Sequence, residues 1–288
     1  MSKRRYNSRV RKKNNISKKR NKKKIYKWLL LFVISIALVG TGIYIKNKIF
    51  FYYAMYFKKH QHKKLENSIS ETRRINTIIT EYQDKIFGID ISHYQKKEDI
   101  EWDSLSIAND AINIDFIVLR ATMGNRSKDK HFDYFWTQTK KYNYTRGAYH
   151  FYRPDEDPVL QANNFLNQVK LEKGDLRPVL DIEKIPRKKS IKQYKEDIKT
   201  WLKIVEDTYG TKPIIYTYYH FYKDYLRGDF EGYPLWLANY NHVLVPSEED
   251  SWLFWQFTEK GIVKGINVKV DLNIFNGNSW EFNKLQLD

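Results

Sequence analysis

Two carboxylates stand two positions apart at the end of an apolar run, Arg177-Pro178-Val179-Leu180-Asp181-Ile182-Glu183. In an extended strand alternate side chains share a face, so Asp181 and Glu183 point one way and Leu180 and Ile182 the other. Ionised carboxylates are costly to bury, so the pair either faces a wet cleft or simply leaves the strand into a solvated loop. Each raises the proton affinity of its neighbour, so one stays protonated near neutral pH, the state a general acid needs. Other runs end in polar or aromatic groups too. Asp90 closes Phe87-Gly88-Ile89-Asp90, His150 follows Gly147-Ala148-Tyr149, and Tyr216 follows Pro213-Ile214-Ile215. Trp236, Asn239 and Tyr240 share one run; Gln256 lies in Trp255-Gln256-Phe257 and Asp271 in Val270-Asp271-Leu272. Singly, each has a plain reading: His150 as a hydrogen-bonded structural residue, the aromatics as core, Asp271 as a turn cap. Together they describe an acidic, aromatic-walled cleft. Such a composition suits carbohydrate, because aromatics stack on sugar faces and paired carboxylates cleave glycosidic bonds.

A cleft of this kind requires many strand ends gathered in one place. β-rich runs fall at Lys85–Ser92, Asp115–Thr122, Thr145–Tyr152, Arg177–Glu183, Pro213–Tyr218, Pro234–Tyr240, Trp252–Thr258 and Asn267–Asn273. Helical stretches lie between several of them, near Phe132–Tyr144, Pro158–Leu171, Ser190–Tyr209 and Tyr219–Leu226. The clearest starts on Ser190 as N-cap, carries Ile191, Tyr194, Ile198, Trp201, Leu202 and Val205 on one face, and stops at Gly210. Alternating strand and helix implies a parallel sheet. Eight strands predict an α/β fold, an irregular TIM-like barrel whose last three strands lack proper helices and whose C-terminal strand ends form the cleft.

The 288 residues contain 51 Lys+Arg, 34 Asp+Glu, 42% hydrophobic residues and no cysteine. Disulfide scaffolds, thiolate zinc sites and cysteine nucleophiles are thereby excluded. The seven His lack metal-binding spacing and no Gly-rich phosphate loop occurs, so neither metal nor cofactor is expected. The basicity belongs to one end: 20 of the Lys+Arg fall in residues 1–64, and every acid lies beyond them. Residues 1–27 read as a basic cytoplasmic tail, and the uncharged run Trp28–Ile45 as a transmembrane helix through the lipid bilayer, with a cleaved signal peptide as the rival reading. The positive-inside rule then leaves the N-terminus in the cytoplasm and the remainder outside, with the chain single-pass in the cytoplasmic membrane. A topology signal accounts for the charge without a nucleic-acid partner. Residues 46–83 read as an interfacial segment and stalk, and 84–288 as the folded domain, expected to be monomeric.

At this point the sequence resembles the family 25 glycoside hydrolases, the lysozyme-type muramidases. The matching blocks include Gly88-Ile89-Asp90-Ile91-Ser92 with Gln95, Phe116–Thr122, Gly147-Ala148-Tyr149-His150-Phe151 and Pro178-Val179-Leu180-Asp181-Ile182-Glu183. Pro213-Ile214-Ile215-Tyr216-Thr217, Leu235-Trp236-Leu237-Ala238, Trp255-Gln256-Phe257 and Val270-Asp271-Leu272-Asn273 follow in family order. The resemblance implies a barrel of five β/α units followed by three strands. It also implies cleavage of the β-1,4 bond between N-acetylmuramic acid and N-acetylglucosamine in peptidoglycan glycan strands. By the same resemblance Glu183 is the general acid, Asp181 its partner carboxylate, and Asp90 and Asp271 the other cleft acids. The 2-acetamido group would take part in the reaction. Tyr216, His150, Trp236, Asn239, Tyr240, Gln256 and Arg120 are the residues expected to bind substrate. Met123 departs from the Glu common after Ala-Thr in the family, and the basic stretch Lys184–Lys189 meets substrate carboxylates or stands as a solvated loop. Two other readings stay open: a catalytically weak, membrane-tethered glycan-binding module, and a glycosidase for another N-acetylated glycan such as chitin.

Overall fold

The computed structural model describes residues 26–42, 46 and 65–288, and the chain divides into two compact units, Met1–Gln61 and His62–Asp288. In the first unit residues 26–42 form a helix (α1) with exposed side chains. Among the described residues no helix is long and apolar enough to cross a membrane. Of the expected span Trp28–Ile45, positions 43–45 lie outside the described residues, as do most of the basic tail and 47–64.

The second unit carries eleven strands. In order they are β1 (Ile86–Ile91), the hairpin β2 (Ser106–Ile107) and β3 (Ile112–Asn113), β4 (Phe116–Met123), β5 (Ser127–Lys128), β6 (Thr145–Phe151) and β7 (Val179–Asp181). Then come β8 (Ile214–Tyr218), β9 (Leu235–Ala238), β10 (Phe254–Gly261) and β11 (Val270–Phe275). Eight of them close a barrel in the order β1-β11-β10-β9-β8-β7-β6-β4, with β4 returning to β1. Every neighbouring pair is parallel except the two made by β11, which runs antiparallel to β1 and β10. The eight-stranded barrel agrees with the sequence expectation. The hairpin β2–β3 and the short β5 were not foreseen.

The helices of this unit are α2 (Ile69–Glu81), which packs on β10, then α3 (Phe132–Lys141), α4 (Pro158–Gln168) and α5 (Ile191–Tyr209), with a three-residue α6 (Tyr219–Phe221) and a closing α7 (Ser279–Asn283). Helix α5 forms as its sequence dictates. Ser190 accepts a hydrogen bond from the Gln193 amide, Gly210 ends the helix in a left-handed conformation at φ 67°, and Tyr194, Ile198, Trp201, Leu202 and Val205 are buried. Ile191 departs from that face; it sits in the first turn and stays exposed. β1 is followed only by a 3-10 turn, Lys97–Asp99, so the first of the five expected β/α units lacks its helix. β7 is paired over three residues rather than the seven of Arg177–Glu183. Pro178 has no N–H to give the ladder, but the Ile182 amide still donates to the Tyr216 carbonyl at 2.9 Å, one residue beyond the assigned strand.

The lower barrel is packed solid. Phe116, Val118, Val179, Ile214, Phe254 and Phe275 fill it, and Phe282 and Leu285 from the C-terminal segment join the cluster. Gly88 is required there, since a Cβ would meet the Phe116 ring at 2.4 Å. With that end closed, inward side chains can be polar only near the mouth.

The expected stalk is corrected by α2. Arg74, Ile75, Ile78 and Ile79 are buried on one face of it, and Arg74 Nη1 donates to the Phe257 carbonyl of β10 at 2.8 Å. Asn67 Nδ2 reaches the Lys260 carbonyl at 2.8 Å, and Tyr82 lies edge-on to Trp255 at 5.8 Å. The folded domain therefore begins before Asp84. A chain starting at Asp84 should be less stable than one starting at Leu65 by roughly 4.5–9 kcal/mol, the burial of three isoleucines, which urea unfolding of the two will measure.

Candidate active site

The parallel strands deliver their C-terminal ends to one mouth, and β11, running the other way, delivers its N-terminal end there. Asp90 on β1 and Asp271 on β11 are consequently direct partners across the sheet, and their carboxyl groups share a hydrogen bond. Such a bond requires a proton between them. The second oxygen of Asp90 is held by two neutral amides: Gln256 Nε2 and Asn273 Nδ2 each donate to Oδ2 at 2.8 Å. Both amides are oriented from behind. Tyr216 Oη donates to Gln256 Oε1 at 2.9 Å, Tyr240 Oη donates to the same oxygen, and Trp236 Nε1 donates to Asn273 Oδ1 at 3.0 Å.

Asp181 ends β7 beside Phe151 of β6 and Tyr216 of β8. It is 5% exposed, and its Oδ1 is buried with no hydrogen-bond partner among the described residues. Glu183, two positions on, is half-buried and accepts a hydrogen bond from the Tyr218 hydroxyl. Burial pushes the Asp181 carboxyl well above its ordinary range, and the charges of Glu183 and Asp90 add to this; Arg120 and Lys184 oppose it. Burial likewise raises Glu183, to about 7, with Lys184 the main opposing charge and Asp90 pushing further up. Asp90 is also raised by burial, against its three hydrogen bonds. The cluster thus holds protons into the neutral range. Burial keeps Tyr149, Tyr216, Tyr218 and Tyr240 neutral beside these acids.

The structure brings together Glu183, Asp181, Asp90, Asp271, Tyr216, Tyr240, Gln256 and Trp236. Trp236 is 2% exposed and lies edge-on to Tyr216 at 5.1 Å, so it supports the floor and offers no face to a sugar. Arg120 reaches the same mouth, anchored by two contacts with Asp129 Oδ2 at 3.0 and 3.1 Å and donating to His93 Nδ1. Two expected binders are elsewhere. His150 faces outward, bonded to Thr122 Oγ1 at 2.7 Å and Gln161 Oε1 at 3.1 Å and stacked on Trp201, and burial lowers its pKa to about 4. Asn239 spends its side chain on its own loop, donating to the Pro246 carbonyl at 3.0 Å and accepting from the Asn241 amide at 3.2 Å. Asn273, Tyr218 and Tyr149 were missed. Each lies two residues beyond an inward-facing position already singled out or packed inside (Asp271, Tyr216, Gly147), so strict alternation would have found them. Met123 is half-buried at the rim, its sulfur 3.5 Å from Arg153 Nη2.

The sequence profile of glycosyl hydrolases family 25 matches residues 89–266. The chain belongs to that family. It is 38% identical over 193 residues to the uncharacterized protein YegX of Escherichia coli K12, covering 67% of this chain and 70% of that one. It is 30% identical over 207 residues to lysozyme M1 of Streptomyces globisporus, with coverage of 67% and 68%. A solved family 25 glycosyl hydrolase from Bacillus anthracis superposes with a TM-score of 0.63 at 28% identity, covering 80% of this chain and 99% of that one. This family 25 protein is a glycoside hydrolase.

An acid raised on folding stabilises the native state below its unfolded pKa, and that stability is lost as pH rises through the native value. For Glu183 the window runs from 4.5 to about 7. Glu183→Gln should therefore match wild type near pH 4 and exceed it above pH 7 by about 3 kcal/mol, read from urea melts at the two pH values.

Proposed function

We infer that this enzyme is a muramidase, cutting the β-1,4 bond between N-acetylmuramic acid and N-acetylglucosamine in peptidoglycan. The observation that carries the reading is the pairing of Glu183, proton-loaded to about 7, with the unpartnered buried oxygen of Asp181. Glu183 protonates the glycosidic oxygen as the C1–O bond breaks. The 2-acetamido oxygen of the same sugar closes on C1 from the opposite face, and the buried oxygen of Asp181 accepts the amide N–H and orients the group. Water then opens the cyclic intermediate while Glu183 takes back a proton, leaving a new reducing end and an intact acid. Tyr218 orients Glu183, and Asp90 with Asp271 keeps the local field negative, which favours both the proton on Glu183 and the cationic intermediate. The kinship with a protein named lysozyme supports peptidoglycan as substrate.

The uncharged run Trp28–Ile45 behind a block of Lys and Arg supports a further part of the reading, that the enzyme is tethered to the cytoplasmic membrane with its catalytic unit outside. Recovery of the full chain in the membrane fraction, resistant to high salt and released by detergent, is the expected result.

Digestion of purified peptidoglycan should produce reducing ends on muramic acid. Ends on glucosamine would indicate a different specificity, and chitin cleaved equally well would remove the muramidase reading. Glu183→Gln should lose on the order of 10²–10⁴-fold in kcat, with folding intact by circular dichroism. Wild-type activity should fall as pH rises through about 7, where Glu183 gives up its proton.

A further inference from the structure

Just beyond Glu183 the chain reads Lys184-Ile185-Pro186-Arg187-Lys188-Lys189. Four cations in six residues are usually a solvated loop, but this one is fastened down and its charges are divided between two tasks. Lys189 is structural: its Nζ donates to Asp197 Oδ2 at 2.6 Å and to the Glu156 carbonyl at 2.9 Å. The backbone is pinned by Asp155, which accepts from the Arg187 amide at 3.0 and 3.1 Å and from the Lys188 amide at 2.9 Å. Tyr194 Oη donates to the Lys184 carbonyl at 2.9 Å. The side chains of Lys184, Arg187 and Lys188 take no part in this. Among the described residues none of the three makes an ion pair or a side-chain hydrogen bond.

Their location gives them a use. The Lys184 ammonium lies 4.9 Å from the centre of the Phe151 ring, and Phe151 is the direct neighbour of Asp181 across β6 and β7. Lys184 is half-buried, so its charge stands at the lip of the cleft on the side of the catalytic pair, and Arg187 and Lys188 are exposed further along the same pinned loop. A rigid backbone presenting unpaired cations beside a bond-breaking site is already organised for an anion, since little ordering remains to be done on binding.

We propose that Lys184, with Arg187 and Lys188, forms an anion subsite that takes an oxyanion carried by the glycan strand next to the scissile bond. This subsite selects charged strands over neutral ones, and it rests on the muramidase reading above. Two sources carry that chemistry in a wall: the carboxylates of the lactyl-linked peptides and the phosphodiesters of attached polymers. Occupancy also feeds the acid. Lys184 is the main charge lowering Glu183, and an anion paired with it cancels that influence, so Glu183 grips its proton more firmly once substrate is seated.

The test uses the full chain as wild type, as Lys184→Gln, and as the Arg187→Gln/Lys188→Gln double variant. One purified wall is supplied in four forms: intact, freed of phosphodiester-linked polymers by hydrofluoric acid, with carboxylates converted to methylamides, and with both treatments. Each variant should raise KM on intact wall about tenfold with kcat within about twofold, the worth of one partly desolvated charge pair. On the doubly neutralised wall the KM values of variants and wild type should coincide, while Lys184→Gln keeps an alkaline activity limb displaced to higher pH. Loss of the difference after hydrofluoric acid alone assigns the phosphodiester; loss after methylamidation alone assigns the carboxylate. The double variant lies away from the acids, so its alkaline activity limb should stay at the wild-type position and its KM effect is read free of Glu183. An equal defect on intact and neutralised walls, or none on intact wall, overturns the subsite while wild type still cuts. Absence of new reducing ends from wild type on any form overturns the muramidase reading, and the subsite with it.

Discussion

Confinement of four carboxyl groups in the mouth of a closed barrel governs this structure. Ionised carboxylates brought out of water repel one another and lose hydration. Cations could relieve that strain, but they would also strip the proton from an acid meant to donate it. The fold mostly relieves it with neutral groups. Gln256 and Asn273 give Asp90 two amide donors without a charge, and a proton shared with Asp271 removes the worst repulsion. The charge of the site is thus lowered by protonation, and on the proposed mechanism the protons so held are the reagent.

The antiparallel strand makes this possible. In a barrel of uniform direction the partner of Asp90 would come from a C-terminal strand end, in a slanted parallel register. β11 instead lays Asp271 straight across from Asp90. Two residues later on the same face, Asn273 sits one layer deeper, where Trp236 can orient it. Tyr216 and Tyr240 do the same for Gln256 from the β8–β9 side. An amide can donate only from its nitrogen, so aromatic donors bonded to its oxygen fix which end faces Asp90. Four of the aromatics of the mouth therefore serve the acids, either through these amides or, as Tyr218 does, directly.

Much of this was legible because a strand has period two and the motif-bearing runs are strands. Asp181 and Glu183 share a face, as alternation requires, and the eight barrel strands lie close to where the apolar runs placed them. The failures have distinct physical origins. His150 belongs to the outward set with Ala148 and Arg146, and the slip of register between Arg120 and Thr122 sets Thr122 beside it; a bulge of that kind leaves no mark in composition. Asn239 sits one residue beyond the paired part of β9, where alternation no longer decides direction. The segment ISETRRINTIITE reads as a polar stalk on composition, yet Arg74, Ile75, Ile78 and Ile79 make a stripe at helical spacing, and the aliphatic stem of a buried arginine completes it. A sum over residues hides a face.

The proton affinity of Glu183 is a balance between two sides of one cleft. From the β1 side Asp90 raises it; from the β7 loop and β4, Lys184 and Arg120 lower it, and burial sets the scale. Arg120 is fixed, because Asp129 is nearly inaccessible and holds its guanidinium by two contacts. Among the described residues the Lys184 ammonium lies against an aromatic ring and forms no ion pair, so it is the member of the balance that a ligand can alter. A neutral sugar chain leaves the balance where it stands. A strand bearing an oxyanion withdraws the Lys184 charge and tips Glu183 toward its protonated form at the moment a leaving oxygen arrives to receive the proton. Specificity and acid strength then come from the same ammonium group, the one placed next in sequence to the acid it controls.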